Sequence, residues 1–384
     1  MDFELNKEQE AIRTAARDFA KGEFDREVAL EHERNHTFPK EIWKKACDLG
    51  FIGIHFPEAY GGQDYGILEN ALVVEEFCRQ DSGFGVAVTL ADFASEIILR
   101  FGTEEQKQAY LVPLTEGKMI SCGGFTEPDH GSDITAMNTT AVREGDEWVI
   151  NGTKTFITNG TIGDYVSLLC QTDPDASPTY RGQSVILVER GTPGFTDADV
   201  GEKMGIKMTS TAELSFNNVR VPASNLIGEE NRGFYQVLEF FDESRIEIAA
   251  QALGIAQGAF DRALAYTKER KQFGKKLAQF QATQHKLADM ATKIETARLM
   301  VYKAAWNYDQ GRIDPKLTSM AKMYAARTAV EVADEAIQLH GGYGYMLEYE
   351  VERFYRDAKI MEIYEGTREI QKNTIASSLL GKLK

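Results

Sequence analysis

Two changes of hydrophobic period, near residues 119 and 227, constrain the fold of this chain more than any single motif does. From Asn6 to about Lys118 apolar residues recur at helical spacing: Ile12, Ala15, Ala16 and Phe19 share one face, and Ile42, Trp43, Ala46 and Leu49 share another. The segment FPEAYGGQDYG, with Pro57, Gly61, Gly62 and Gly66, breaks that run before ILENALVVEEFC resumes it. Between about Met119 and Leu226 the pattern becomes short β-rich runs, EWVINGTKTFITNG, YVSLLCQT, QSVILVER and AELSFNNVRV, punctuated by turn residues. From Gly233 onward long helical patterns return, and helices of this kind form antiparallel bundles. The expected fold is α+β in three units: an N-terminal helical domain over 1–118, a middle antiparallel β domain over 119–226 and a C-terminal helical bundle over 227–384.

Composition narrows the function classes. A net charge of −16 argues against a nucleic-acid partner, because phosphate binding draws on concentrated Lys and Arg. No run of eighteen apolar residues occurs, so no membrane span is expected and the protein is expected to be soluble. One basic cluster, Lys268, Arg270, Lys271, Lys275 and Lys276, stands against the acidic background; it is either a solvated helix end or a patch for an anionic ligand. Cys47, Cys78, Cys122 and Cys170 are widely spread with no CxxC pairing, so neither a disulfide framework nor a metal site is expected. The acidic, amphipathic start MDFELNKEQEAIRTAARDFA lacks the character of a signal or transit peptide, which points to a cytoplasmic protein.

Two segments offer chemistry. GGFTEPDHGSD presents small residues, hydroxyls and backbone N–H groups at a strand-to-loop transition, which either hold a heterocycle or phosphate or simply make turns. In IYEGTREIQ, Glu365 stands beside Gly366 where a helix begins; the carboxylate either complements the helix dipole or meets a ligand that the glycine lets approach.

These segments, with four others in order, resemble the acyl-CoA dehydrogenase family along essentially the whole chain. The motifs are FTEP with GSD at Phe125 to Asp133, KTFITNG at Lys154 to Gly160, RKQFGKKLAQFQ at Arg270 to Gln281, QLHGGYGY at Gln338 to Tyr345, RDAKI at Arg356 to Ile360 and YEGTREIQ at Tyr364 to Gln371. The resemblance implies a helical domain, a β domain and a four-helix bundle, assembled as a homotetramer and holding FAD. It places Phe125, Thr126, Gly131 and Ser132 beside the flavin and its pyrophosphate, with Phe156 and Thr158 at the reactive edge of the ring. Phe156 departs from the tryptophan commonest there. Arg270, Phe273, Gln281, Gln338 and Gly342 are implied to hold the FAD of a neighbouring subunit, and Thr367 and Glu369 to contact FAD from the bundle. Coenzyme A is implied to meet Ser132, Asp242, Ser244, Arg245 and Gly366.

The implied reaction removes the α-proton of an acyl-CoA with Glu365 while the β-hydrogen leaves as hydride to flavin N5, the electrons passing to an electron-transferring flavoprotein. A carboxylate needs two aids for this. Desolvation raises its pKa, and hydrogen-bond donors stabilise the enolate-like oxygen; the resemblance names these as the backbone N–H of the glutamate and a ribityl hydroxyl of FAD. Some members carry the base at the position of Ser244, where a serine cannot serve, while Glu243 is about 100° around the helix and is expected to face elsewhere.

Asp92 bears on the acyl group. An acid among Val88, Leu90, Ala91 and Phe93, in the helix that resembles an acyl-pocket wall, either points to solvent or bonds local backbone, or is a second acid–base group. The second reading suits 1,4-dehydrogenation of cyclohex-1-ene-1-carbonyl-CoA to the cyclic diene; the alternative is an ordinary short-chain, butyryl-type dehydrogenase. Glutaryl-type substrates are disfavoured, because Gly85 and Val86 follow SGF where those enzymes carry an Arg-Ser pair. Two rivals share the fold: an oxidase that reacts with oxygen, and a non-catalytic scaffold, which would have no reason to keep a base and flavin motifs together.

Overall fold

The computed structural model describes residues 4–381. Seven helices come first: α1 (Lys7–Glu23), α2 (Arg26–Asn35), α3 (Lys40–Asp48), α4 (Ile67–Gln80), α5 (Ser82–Thr89), α6 (Ser95–Phe101) and α7 (Glu104–Thr115). Capping residues start several of them. Asn6 and Thr103 each form a reciprocal capping box with a glutamine three residues on, and Asp25 accepts from Glu27 and Val28. Helix α4 follows Gly66, which has no side chain to offer, so a distant residue caps it: Asp309 accepts the N–H groups of Ile67 at 2.7 Å and Leu68 at 3.0 Å.

The strands are β1 (Ser121–Gly124), β2 (Thr140–Glu144), β3 (Glu147–Thr158), β4 (Tyr165–Gln171), β5 (Gln183–Glu189), β6 (Phe195–Asp199), β7 (Thr211–Pro222) and β8 (Leu226–Ile227). They form one sheet in the order β6-β7-β3-β2-β4-β5-β8, with β1 on β4. The expected all-antiparallel pattern needs correcting: β1 and β2 both run parallel to β4, so the sheet is mixed. The chain between β1 and β4 is long enough for the crossover that parallel pairing requires. The remaining neighbours are antiparallel.

Helix α8 (Gly233–Glu269) begins the last unit, followed by a small hairpin of β9 (Lys271–Gln272) and β10 (Lys275–Lys276), then α9 (Gln281–Asp309), α10 (Pro315–His340), α11 (Val351–Ile360) and α12 (Arg368–Leu380). A core of Leu253, Ile294, Val301, Ala325 and Ala329, among others, joins α8, α9 and α10 and extends to Leu68 and Val74 of α4. Glycine makes that extension possible. A Cβ on Gly254 would lie 2.4 Å from the Glu75 carbonyl, and one on Gly258 would lie 2.3 Å from that of Arg79. Helices α4 and α8 therefore pack backbone to backbone, and α8 carries its side chains into the space between the first and last units. Among the described residues no helix is long and apolar enough to cross a membrane.

Candidate active site

Glu365 sits in the turn between α11 and α12, and its backbone is held rather than relaxed. Its φ is 53° and that of Gly366 is 91°, a left-handed pair that is costly for a glutamate and free for a glycine. Three neighbours fix the turn. The Nζ of Lys322, on α10 and 1% exposed, donates to the carbonyls of Tyr364 and Gly366, each at 2.7 Å. Gln371 Nε2 donates to the carbonyls of Glu365 at 2.9 Å and Gly366 at 3.0 Å. Thr367 caps α12 by accepting the N–H of Ile370.

The carboxylate of Glu365 meets α8, where the Ser244 hydroxyl donates to its Oε2 at 2.6 Å. Burial pushes its pKa up, opposed by that hydroxyl and by the charges of Lys322 and Arg245. Asp242 and Arg245 lie on either side of Ser244 and pair at 3.2 Å, both buried. Burial pushes the Asp242 carboxyl up to about 6 despite Arg245. The Arg245 Nε is buried with no partner among the described residues, and its charge acts on the Glu365 carboxylate. The structure thus brings Asp242, Ser244, Arg245, Glu365 and Gly366 into one cluster. Glu243 turns away, to His55 and Arg100.

The residues expected to face the flavin lie partly on the sheet. Phe125 is buried against Phe93, Phe240 and Phe241, and its carbonyl accepts from the buried Lys154 at 3.2 Å. The backbone carbonyl of Thr126 accepts the N–H of Thr155 at 2.9 Å, tying this loop to β3. Gly131 and Ser132 are exposed. Strand β3 slips register between Lys154 and Ile157, and Phe156 there takes φ 56° and leaves 68% of its surface in the open. Thr158 is back in register opposite Thr211.

A second set lies around a cleft of about 510 Å³ lined by Tyr266, Arg270, Gln272, Gln338, Gly342 and Tyr343, among others. The Arg270 guanidinium rests over the Tyr343 ring, 5.4 Å from its centroid. Cβ atoms on Gly341 and Gly342 would meet nothing within 4 Å, so the floor is open to a ligand. Phe273 projects from the adjoining hairpin, 93% exposed, while Gln281 opens α9 and does not line the cleft. Glu369 is exposed in the first turn of α12. A guanidinium and glycines that leave space for a ligand line one cleft and suit a pyrophosphate, so these residues fit the dinucleotide the sequence implies.

Asp92 follows α5 and is only 7% exposed, which rules out the solvent-facing position. Burial pushes its carboxyl up to about 6, against the pull of His55 and of the backbone of Asp92 and Gly53, with Glu243 adding to the rise. Glu247 lies one turn along α8 from Ser244: burial raises its pKa, and Asp92, Glu243 and Glu365 raise it further. Glu96 behaves likewise, raised by burial and by Asp92, Glu243 and Glu247.

Sequence reasoning missed Lys322, Glu247, Glu96 and His55. Lys322 had a signal, since a lysine among Ser319, Ala321, Ala325 and Ala326 falls on the small-residue face that α10 buries. His55, between Ile54 and Phe56 in an irregular segment, had none.

Comparison with known proteins agrees with this geometry. The acyl-CoA dehydrogenase N-terminal, middle and C-terminal domains match residues 6–118, 122–219 and 231–380 in series. A short-chain-specific acyl-CoA dehydrogenase of Clostridium acetobutylicum is 45% identical over 380 residues, covering 99% of this chain and 100% of that protein. An NADH-dependent acryloyl-CoA reductase of Anaerotignum propionicum is 44% identical, covering 99% and 96%. Among solved structures, butyryl-CoA dehydrogenase from Megasphaera elsdenii superposes with a TM-score of 0.94 at 41% identity, covering 99% of this chain and 100% of that one. The three domains in order and the full-length identity show that this chain is an enzyme of the acyl-CoA dehydrogenase family.

Proposed function

We propose that the protein dehydrogenates an acyl-CoA thioester with Glu365 as the base. The single observation that carries this reading is the held, desolvated carboxylate of Glu365 against Ser244, with the charge of Arg245 acting on it. Desolvation brings the carboxylate closer in basicity to the carbon acid it must deprotonate. FAD, when bound, supplies the hydride acceptor for the β-hydrogen. Phe125, Thr126, Gly131, Ser132, Phe156, Thr158, Thr367 and Glu369 are its proposed partners in one subunit. Arg270, Phe273, Gln281, Gln338 and Gly342 are proposed to reach the FAD of a neighbour in a homotetramer, which the 93% exposure of Phe273 supports. Ser132, Asp242, Ser244, Arg245 and Gly366 hold coenzyme A in this reading. Electrons then pass to an electron-transferring flavoprotein in the cytoplasm.

For the acyl group the reading is 1,4-dehydrogenation of cyclohex-1-ene-1-carbonyl-CoA. The α-carbon of that thioester bears no hydrogen, so its proton must leave from another ring carbon; Asp92 takes it, and the hydride leaves from the carbon in the 1,4 relation. Support comes from a buried carboxyl held near neutrality in place of an aliphatic wall. The similarity to short-chain and butyryl enzymes favours the second reading, an ordinary straight-chain substrate.

Flavin bleaching by a panel of thioesters, measured on wild type and Glu365→Gln, tests both levels. Wild type should bleach with butyryl-CoA or the cyclic monoene, and Glu365→Gln should keep FAD while losing the straight-chain reaction. Retention of more than about a tenth of the rate, a loss under roughly 1.4 kcal/mol, would place the base elsewhere.

A further inference from the structure

A cluster of ionisable side chains neighbours Asp92, and the mechanism above leaves it unused. His55 Nε2 is 3.3 Å from Glu243 Oε1, with the two side chains 5% and 7% exposed. Ligating atoms of His55, Glu96 and Glu243 all fall within 4.8 Å of one another. The Asp92 carboxylate reaches the backbone of Gly53, two residues before His55. From Glu243 the chain of contacts continues outward: Arg100 and the Tyr308 hydroxyl both meet its Oε2, the hydroxyl at 3.2 Å, and the Arg100 side chain is 24% exposed. Within the protein neither His55 nitrogen has a well-directed hydrogen bond, and Glu96 Oε2 has none.

We propose that His55 and Glu243 form a proton exit for Asp92, opening at the Arg100 edge. The proposal rests on the reading of Asp92 as the base for an alicyclic thioester. Each turnover leaves one ring proton on the Asp92 carboxylate while the electron pair departs as hydride to the flavin. Asp92 must lose that proton before it acts again, and the residue is only 7% exposed. Imidazole takes a proton on one nitrogen and releases one from the other. In the proposed route the proton passes from Asp92 to His55, whose charge acts on the Asp92 carboxyl, then to Glu243, 3.3 Å from His55 Nε2, which releases it to water beside Arg100. Arg100 stays charged throughout, since guanidinium does not deprotonate in proteins. Burial alone would raise the Glu243 pKa, but the His55 ring and Arg100 outweigh it and hold the group below its ordinary range, ready to release. The other groups facing the relay are Glu96 of α6, Glu247 of α8 and Tyr308 and Asp309 of α9. Burial pushes Glu96 and Glu247 up, and their acidic neighbours push them further. His55 is thus a positioning residue that acts through Asp92.

The test uses the FAD-loaded enzyme, cyclohex-1-ene-1-carbonyl-CoA and a pH-indicator dye, on wild type, Asp92→Asn, His55→Gln and His55→Asn. Single-turnover bleaching reads the chemistry, and dye response with steady-state turnover reads proton release. For at least one His55 variant, bleaching should stay within about threefold of wild type while proton release and turnover fall at least about tenfold. A merely structural role would instead lower bleaching and FAD occupancy together, and that result overturns the relay. If both His55 variants release protons and turn over at the wild-type rate while Asp92→Asn fails to bleach, the relay is overturned and the role of Asp92 stands. If Asp92→Asn bleaches like wild type, or wild type does not bleach with this thioester, the role of Asp92 fails and the relay with it.

Discussion

The Ser244 hydroxyl donates to Glu365 Oε2 at 2.6 Å, so the proposed base is held by a side chain 121 residues away in sequence. The two come from different elements, Ser244 from the middle of α8 and Glu365 from the turn before α12. Burial and this hydrogen bond act in opposite senses on the carboxylate. The balance between them sets the pH at which the base is ready.

Ser244→Ala tests that balance. Without the donor, burial acts with less opposition and the Glu365 pKa rises, so the pH profile of flavin reduction should move to the alkaline side. A hydrogen bond to a charged group contributes about 1.5–3 kcal/mol, enough for a loss of about tenfold or more near neutrality that recovers at higher pH. Stopped-flow bleaching across pH checks this; an unshifted profile with a uniformly lower rate would show that Ser244 only places substrate.

Lys322 offers a second test, because it holds the strained turn through the two carbonyls flanking Glu365. Lys322→Met should leave those carbonyls unsatisfied, at about 1–3 kcal/mol each. Burial pushes the Lys322 pKa down to about 7 from 10.5, partly offset by attraction to Glu365. Because the folded value is the lower one, the unfolded chain binds more protons between them, and the wild type gains stability as pH rises from about 7 toward 10.5. The methionine variant lacks that gain, so its deficit should be smaller at pH 6 than at pH 9. Denaturant titrations at both pH values decide it, and an equal deficit would mean that the lysine keeps its charge when buried.

The order of helices, strands and helices was readable because period-2 and period-3.6 patterns switch cleanly near residues 119 and 227. The parallel placement of β1 and β2 on β4 was not, since four- and five-residue runs carry no directional signal. The glycine after Glu365 left two readings of that carboxylate open, and the resemblance of YEGTREIQ to the acyl-CoA dehydrogenases is what singled it out. Its contacts were not legible from spacing, because Ser244 on α8 and Lys322 on α10 reach this turn from helices distant in sequence, while Gln371 stands only six residues on, in α12. Asp92 stood out as a lone acid in an apolar run, whereas Glu96, buried like it, and Glu247, half-buried, were not singled out.

The exposed hairpin carrying Phe273 makes a prediction about assembly. If Arg270 and Phe273 reach the FAD of a neighbouring subunit, changing both to Ala should lower cofactor occupancy, and added FAD should stabilise the oligomer of the wild type by linkage. Phe273 is 93% exposed, and the Arg270 guanidinium rests over the Tyr343 ring at the edge of the cleft. Sedimentation with the flavin absorbance as readout checks both effects. A fully flavinated monomer at low concentration would contradict the arrangement.

Asp92→Asn separates the two acyl readings. If the carboxylate takes a ring proton, the variant should nearly abolish bleaching by cyclohex-1-ene-1-carbonyl-CoA while keeping FAD, and butyryl-CoA, which presents its proton to Glu365, should react as before or faster. The pH dependence sharpens the test. Burial holds the Asp92 carboxyl at about 6, so alicyclic bleaching by the wild type should rise with pH through that value, as the base form appears. Stability runs the other way: the folded pKa lies above the ordinary 3.8, so the folded state binds the extra proton and the wild type loses stability as pH climbs from about 4 to about 6. Asparagine carries no such charge, and the melting temperature of the variant should gain on the wild type across that window and hold its lead above it. Equal kinetic loss on both thioesters, with no relative gain in melting temperature, would make Asp92 a structural residue and leave the straight-chain reading in possession of the site.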